Sequence, residues 1–218
     1  MSNPDNASPP TKKRSTYRHG DLRRALLEAG IALAREGGPA AVVLREATRR
    51  AGVAPNAAYR HFASRQALFD AVRAHALGGV AHAIEREWAK ALKLSEPRAR
   101  ARGLLRAVGT GYLRFAQAET GLFRTAFVFG EHDVAVPPDP ARTAALGLNP
   151  FELLGAALDE MVQAGVLPAA RRPQAEYLAW SAVHGMALLT IDGPLRTATA
   201  AARRALGERL VAMVVNGL

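Results

Sequence analysis

Between Leu44 and Phe69 the chain reads LREATRRAGVAPNAAYRHFASRQALF, and this stretch leaves few folds open. A short helical run ends at Ala51-Gly52-Val53, and a second, opening at Pro55, follows at once. Glycine tolerates the left-handed backbone that closes a helix, and proline suits a first helical position, where its missing N–H costs nothing. Ser64 then stands as a cap for a third run. Two short helices joined by a tight glycine turn form a helix-turn-helix unit.

The remainder of the 218 residues agrees with an all-α chain. Hydrophobic residues make up 49%, enough for a sizeable core, and β-branched clusters are few. The expected helices start with one before Gly37-Gly38-Pro39, whose Leu22, Leu26, Ala29 and Leu33 form one stripe. Helices are then expected over 44–51, 55–61 and 65–92. A fifth opens at Pro97, with Leu104, Leu105, Val108, Tyr112 and Phe115 on one face. A short aromatic-rich run follows over 121–129, then a proline-containing loop over 131–150, expected to be the most mobile internal segment. Helices over 150–164, 173–191 and 197–216 complete the chain. The first of these breaks at Gly165 and Pro168, and Asp192-Gly193-Pro194 separates the other two. Val43 and Ala54 stand where polar caps are preferred.

Charge is uneven. Residues 1–75 carry thirteen Lys and Arg against six Asp and Glu, a net of +7 out of +10 for the chain. A polyanionic partner near the helix-turn-helix fits that distribution. Residues 1–16, rich in Pro, Ser and Asn, read as a disordered basic arm, with the helix-turn-helix domain over 17–64 and a larger helical domain over 65–218. With no cysteine, disulfides and thiolate zinc sites are excluded. No apolar run is long enough for a membrane span, and the N-terminus lacks a secretory apolar segment, so a cytoplasmic protein is expected.

In such a unit the second helix lies in the major groove of double-stranded DNA and offers its N-terminal residues to base edges and phosphates. Those residues are Asn56, Ala57, Tyr59, Arg60 and His61. Arg60 suits a bidentate contact with guanine, Ala57 a thymine methyl, Asn56 an adenine or a phosphate, and Tyr59 a phosphate. His61 either packs or reads a base. Thr48, Arg49 and Arg65 are candidate backbone anchors, and Lys12, Lys13 and Arg14, with Tyr17 and Arg18 after them, extend the basic surface.

The segments HGDLRRALLEAG (19–30), AGVAP (51–55) and YRHFASRQALF (59–69) together resemble the DNA-binding domain of TetR-family transcriptional regulators. Trp180 to Gly185, with His184, is similar to the Trp…His-Gly signature of one C-terminal subgroup. The resemblance implies an all-helical homodimer that binds a small-molecule effector in its larger part and is joined through its last two helices. It also implies that a repressor, binding a palindromic operator, is the commoner role. Asn56 and Ala57 replace the Gly and Ser or Thr of many members, and Thr48 replaces a frequent Ala.

Candidate ligand-lining residues for a small, largely apolar effector are Trp88, Tyr112, Phe115, Phe123, Phe127, Met161, Trp180 and His184. Aromatic residues at helical spacing are more often core than pocket lining, and His184 is more often a partner for a backbone carbonyl than a ligand contact. Ala179, Ala182, Gly185 and Ala187, with Leu206, Leu210, Met213 and Val214, read as a helix–helix seam between subunits. No catalytic or metal constellation and no cofactor is expected: Glu-x-x-His spacing and phosphate-binding glycine loops are absent, and His75 and His82 have no completing carboxylates. The rival readings are a non-specific architectural DNA-binding protein and a helical protein-interaction adaptor.

Overall fold

The computed structural model describes residues 19–128 and 139–218. Among them nine α-helices form, and no strand: α1 His19–Gly37, α2 Leu44–Ala51, α3 Pro55–Tyr59, α4 Arg65–Ala91, α5 Pro97–Ala118, α6 Thr120–Ala126, α7 Pro150–Gln163, α8 Ala175–Ile191 and α9 Ala200–Gly217. The all-α expectation holds. The third helix ends two residues earlier than its pattern implied, at Tyr59. The arm at 1–16, Tyr17, Arg18 and positions 131–138 of the proline-containing loop lie outside the described residues.

Local chemistry explains the boundaries. Ser64 accepts from the Ala67 N–H at 3.1 Å and starts α4. Asn149 accepts from the backbone N–H groups of Phe151 and Glu152, while Glu152 accepts from the Asn149 N–H, a reciprocal capping box at α7. Neither Val43 nor Ala54 supplies a side-chain cap, as their types implied.

The two longest helices run antiparallel at very close range. Three glycine contacts fix the register, because moving toward the N-terminus on α4 moves toward the C-terminus on α5: Gly103 meets Ala91, Gly111 meets Ile84, and Gly79 meets Phe115. A Cβ at Gly111 would stand 2.5 Å from the Ile84 Cα and 2.7 Å from the Ala83 carbonyl oxygen, so only glycine lets the backbones approach this far. α5 is the central helix, packed by α4, α7, α8 and α9, with Leu104, Leu105, Val108, Tyr112 and Phe115 all buried. One apolar cluster runs without interruption from Leu26 and Phe62 in the N-terminal third to Val215 in α9.

The segment before α7 is packed where the sequence implied mobility. Pro140–Arg142 form a 3-10 turn seated on α4, and a Cβ at Gly78 would lie 2.5 Å from the Ala141 carbonyl oxygen. The Glu85 carboxylate accepts from the backbone N–H groups of Ala145 (2.9 Å) and Leu146 (2.7 Å). Residues 139–149 thus form a strap across α4, with two of its backbone N–H groups partnered by Glu85 of that helix.

Because the Gly111 contact is with backbone atoms, Gly111→Ala forces α4 and α5 apart. The expected cost is about 1–3 kcal/mol of overpacking, offset only slightly by improved helix propensity. Urea denaturation measures it, and an unchanged midpoint would contradict the close approach.

Candidate nucleic-acid interface and ligand cavity

The helix-turn-helix is built from its turn outward. Gly52 adopts φ 67° and ψ 31°, and its N–H donates to the Arg49 carbonyl while the Val53 N–H donates to that of Thr48. These bonds close α2 in the Schellman pattern that glycine favours. Across the turn, Ala58 and Phe62 are fully buried and pin α3 inward. The opposite side presents Asn56, Tyr59 and Arg60, all exposed and without side-chain hydrogen bonds among the described residues. Ala57 and His61 are half-buried. Arg23 stacks on the Phe62 ring at 5.1 Å, which fixes α1 over the same core.

Three anchors expected from the sequence have other engagements. Thr48 is corrected: it is 3% exposed, and its hydroxyl donates to the Arg45 carbonyl at 2.6 Å, so it stabilises α2 from inside and offers nothing to a phosphate. Arg49 is exposed but forks onto Glu46, at 2.6 and 2.9 Å. Arg65 donates to the Val42 carbonyl at 3.1 Å and ties the start of α4 to the chain entering α2. The pattern also missed Arg50, which bridges α2 to α1 through a bidentate pair with Glu36, at 2.7 and 2.6 Å, and a bond to Glu46. The Arg49 hydrogen bond, helped by Arg50, holds the Glu46 carboxyl down to about 2, and Arg50 lowers that of Glu36. Arg49 and Arg50 are therefore substantially neutralised by neighbouring carboxylates, whereas Arg60, where α3 ends, is exposed with no ion pair among the described residues.

A cavity of about 480 Å³ lies in the C-terminal part, lined by residues of α4, α5, α7, α8, α9, the end of α6 and the strap, and open on one side to solvent. Its walls are mostly apolar, with Leu77, Val108, Leu154 and Val183 among them. Of the residues expected to line it, Tyr112, Phe127 and Trp180 do. Trp88, Phe115, Phe123 and Met161 are corrected to core: their exposures run from 1% to 8%, and none faces the cavity. His184 stands behind the wall. Its Nδ1 lies 2.7 Å from the Tyr112 hydroxyl, not against a backbone carbonyl, while the Trp180 indole N–H donates to the same hydroxyl at 3.1 Å. An indole N–H only donates, and burial holds the Tyr112 phenol protonated well above its ordinary range. The phenol accepts from Trp180, and its own proton is available to His184 Nδ1, an arrangement that suits a neutral imidazole with its proton on Nε2. Phe123 packs edge-on against Tyr112 at 5.3 Å and closes this group from behind.

Sequence reasoning missed Arg73, Arg142, Phe151 and Tyr177 in the cavity wall. A signal for Arg73 existed: it shares helical spacing with Leu77, Val80 and Ile84, so a charged residue occupies an otherwise apolar stripe of α4. Arg73 is 8% exposed, and its Nε donates to the Ala126 carbonyl at the end of α6, at 3.1 Å. α6 in turn docks on the N-terminal third. Gly121 lies against the carbonyls of Ala34 and Arg35 with no room for a Cβ, and Arg35 pairs with Glu119 at 3.0 Å. A chain of contacts thus joins the cavity wall to α1, which carries α2 and α3.

Burial lowers the pKa of His184 below the ordinary 6.5, and burial followed by the Arg35 charge lowers that of His75. As pH falls through 6.5, the unfolded chain takes up protons that the folded chain refuses, so folding stability drops on acidification. We expect the unfolding free energy to fall between about pH 7.5 and 5.5, and His184→Gln to flatten that slope, leaving the His75 part. A variant with the wild-type slope would contradict the lowered pKa of the half-buried His184. The Glu36 and Glu46 pairs titrate below this window.

The family profile "Bacterial regulatory proteins, tetR family" matches residues 26–72, and "Tetracyclin repressor-like, C-terminal domain" matches residues 105–214. Among solved structures, a protein of unknown function from Rhodococcus sp. RHA1 is 26% identical over 94% of this chain and 99% of its own, with a TM-score of 0.71. The TetR family transcriptional regulator PfmR from Thermus thermophilus shares the fold at 22% identity and a TM-score of 0.55, covering 88% of this chain and 98% of its own. The comparison with curated proteins yields no match. No helix of the described residues is long and apolar enough to cross a membrane. With both profiles matching the two parts that the structure joins through α4, the chain belongs to the TetR family of transcriptional regulators, with a DNA-binding helix-turn-helix at its N-terminal end.

Proposed function

We propose that this regulator is a repressor that binds a palindromic operator as a homodimer and is released by a small, largely apolar effector bound in the cavity. The observation that carries the reading is the continuity between cavity and reading helix: Arg73 and Ala126 belong to the cavity wall, and α4 and α6 both pack on α1. A ligand that alters the spacing of these helices alters the position of α3. Asn56, Tyr59 and Arg60 on the outer side of α3 are the proposed DNA-reading residues, with Ala57 and His61 beside them. Arg49 and Arg65 remain proposed phosphate contacts, since both are exposed despite their internal bonds. Lys12, Lys13, Arg14, Tyr17 and Arg18 are proposed to extend that contact along the backbone.

The homodimer is supported by the outer face of α8. Ala179 and Ala187, expected in the seam, are buried in the chain's own core. The outward stripe instead runs Leu178, Ala182, Gly185 and Leu189, spaced by four, three and four. Leu178 is 64% exposed, and a Cβ on Gly185 would meet nothing within 4 Å. Together with exposed Met213 on α9, this gives a self-complementary apolar face with small residues at its centre, suited to a two-fold helix bundle.

Selection of bound sequences from random DNA tests the reading. The expected product is an inverted repeat, whose symmetry mirrors that of a dimer. Arg60→Ala should cost about 1–3 kcal/mol at a single base position of each half-site. Recovery of no common motif would favour an architectural DNA-binding protein, and a uniform loss across all sequences would place Arg60 on phosphate only.

A further inference from the structure

The cavity is apolar over most of its wall, yet Arg73 and Arg142 are among the residues that line it, and no carboxylate lines it among the described residues. Arg142 is the informative one. Its Nε is buried from solvent and has no hydrogen-bond partner among the described residues. A buried charged donor without an acceptor is costly, and native proteins retain few of them. Nor is the arginine there by looseness of its segment. Gly78 gives the Pro140–Arg142 turn its seat on α4, Asp139 caps that turn through the Ala141 N–H, and Glu85 clamps the next turn of chain. Arg73 approaches from α4 itself, buried and oriented by its bond to Ala126.

We propose that the cavity takes an amphipathic oxyanion, its hydrocarbon body lying among Leu77, Val108, Leu154 and Val183 and its anionic head held by Arg142 with Arg73. This rests on the reading of the cavity as the effector site and adds the charge of the effector. A guanidinium presents planar, paired N–H donors that match carboxylate and phosphate oxygens, and an ion pair against mostly apolar walls is screened less than one on an open surface. A cationic amphiphile would meet the like charge of Arg142 there, and a neutral one would leave the Arg142 donor desolvated without compensation. The volume, equal to about sixteen waters, holds a chain of medium length rather than a bulky conjugate.

Calorimetric titration of the full chain at about pH 7.5 with four probes of one chain length, decanoate, decyl phosphate, decanol and decylamine, tests this. Both anions should bind about tenfold or more tightly than decanol, with decylamine weakest. Which anion binds more tightly names the head group. Arg142→Gln should weaken decanoate about tenfold and bind decanol no more weakly than the unsubstituted chain does. Arg142→Lys, which keeps the charge but loses the planar fork, should retain part of the preference and serves if the glutamine variant fails to fold. Equal binding of decanoate and decanol by the unsubstituted chain would overturn the anionic head alone, and a preference undiminished in folded Arg142→Gln would overturn its placement on Arg142. Binding of none of the four would overturn the effector reading with it.

Discussion

The backbone-to-backbone approach of α4 and α5 at Gly111 and Ile84 is the constraint on which the rest of the molecule depends. α4 is one unbroken helix of 27 residues, about 40 Å long, and it belongs to both halves of the protein. Its first turns, through Leu68 and Val72, pack beneath Gly30 of α1 and so support the helix-turn-helix. Its next turns supply Arg73 and Leu77 to the cavity wall. Clamped along its later length by α5, α4 is the rigid element through which the proposed effector response would reach the reading helix.

A second, shorter route runs beside the first. α6 carries the Ala126 carbonyl that Arg73 holds and the Gly121 backbone that α1 rests on, and it is tied to the end of α8 by the Arg124–Asp192 pair. The cavity wall, the N-terminal third and the helix with the outward apolar stripe therefore meet on the seven residues of α6. Two discrete placements of α6 would bias both the position of α3 within a subunit and the geometry between subunits, which is what coupling between an effector and DNA requires. The His184–Tyr112–Trp180 group contributes differently. It pairs three part-buried polar atoms with one another, so it ties α5 to α8 without presenting a charge.

Much of this was legible before the structure. Gly52, Pro55 and Ser64 act through local backbone chemistry, which sequence displays directly, and all three mark the boundaries expected of them. Side-chain direction was harder. Thr48 looks polar and available, but the face it occupies on α2 is decided by packing against α1. Trp88, Phe115, Phe123 and Met161 share helical spacing with true wall residues, and only the three-dimensional neighbours of each separate core from cavity. Arg142 and the strap were least visible. Proline-containing segments usually run free over a surface, and nothing local announces that Gly78 and Glu85, far earlier in the chain, provide a seat for this one.

The central claim is that cavity and reading helix are linked through α4 and α6, and linkage is reciprocal. The most direct measurement is operator affinity, by fluorescence anisotropy on a selected sequence, with and without saturating decanoate, together with decanoate affinity with and without operator. The account requires both affinities to fall by one shared factor, in the range of about 5- to 150-fold. Tight decanoate binding that leaves operator affinity unchanged would contradict it.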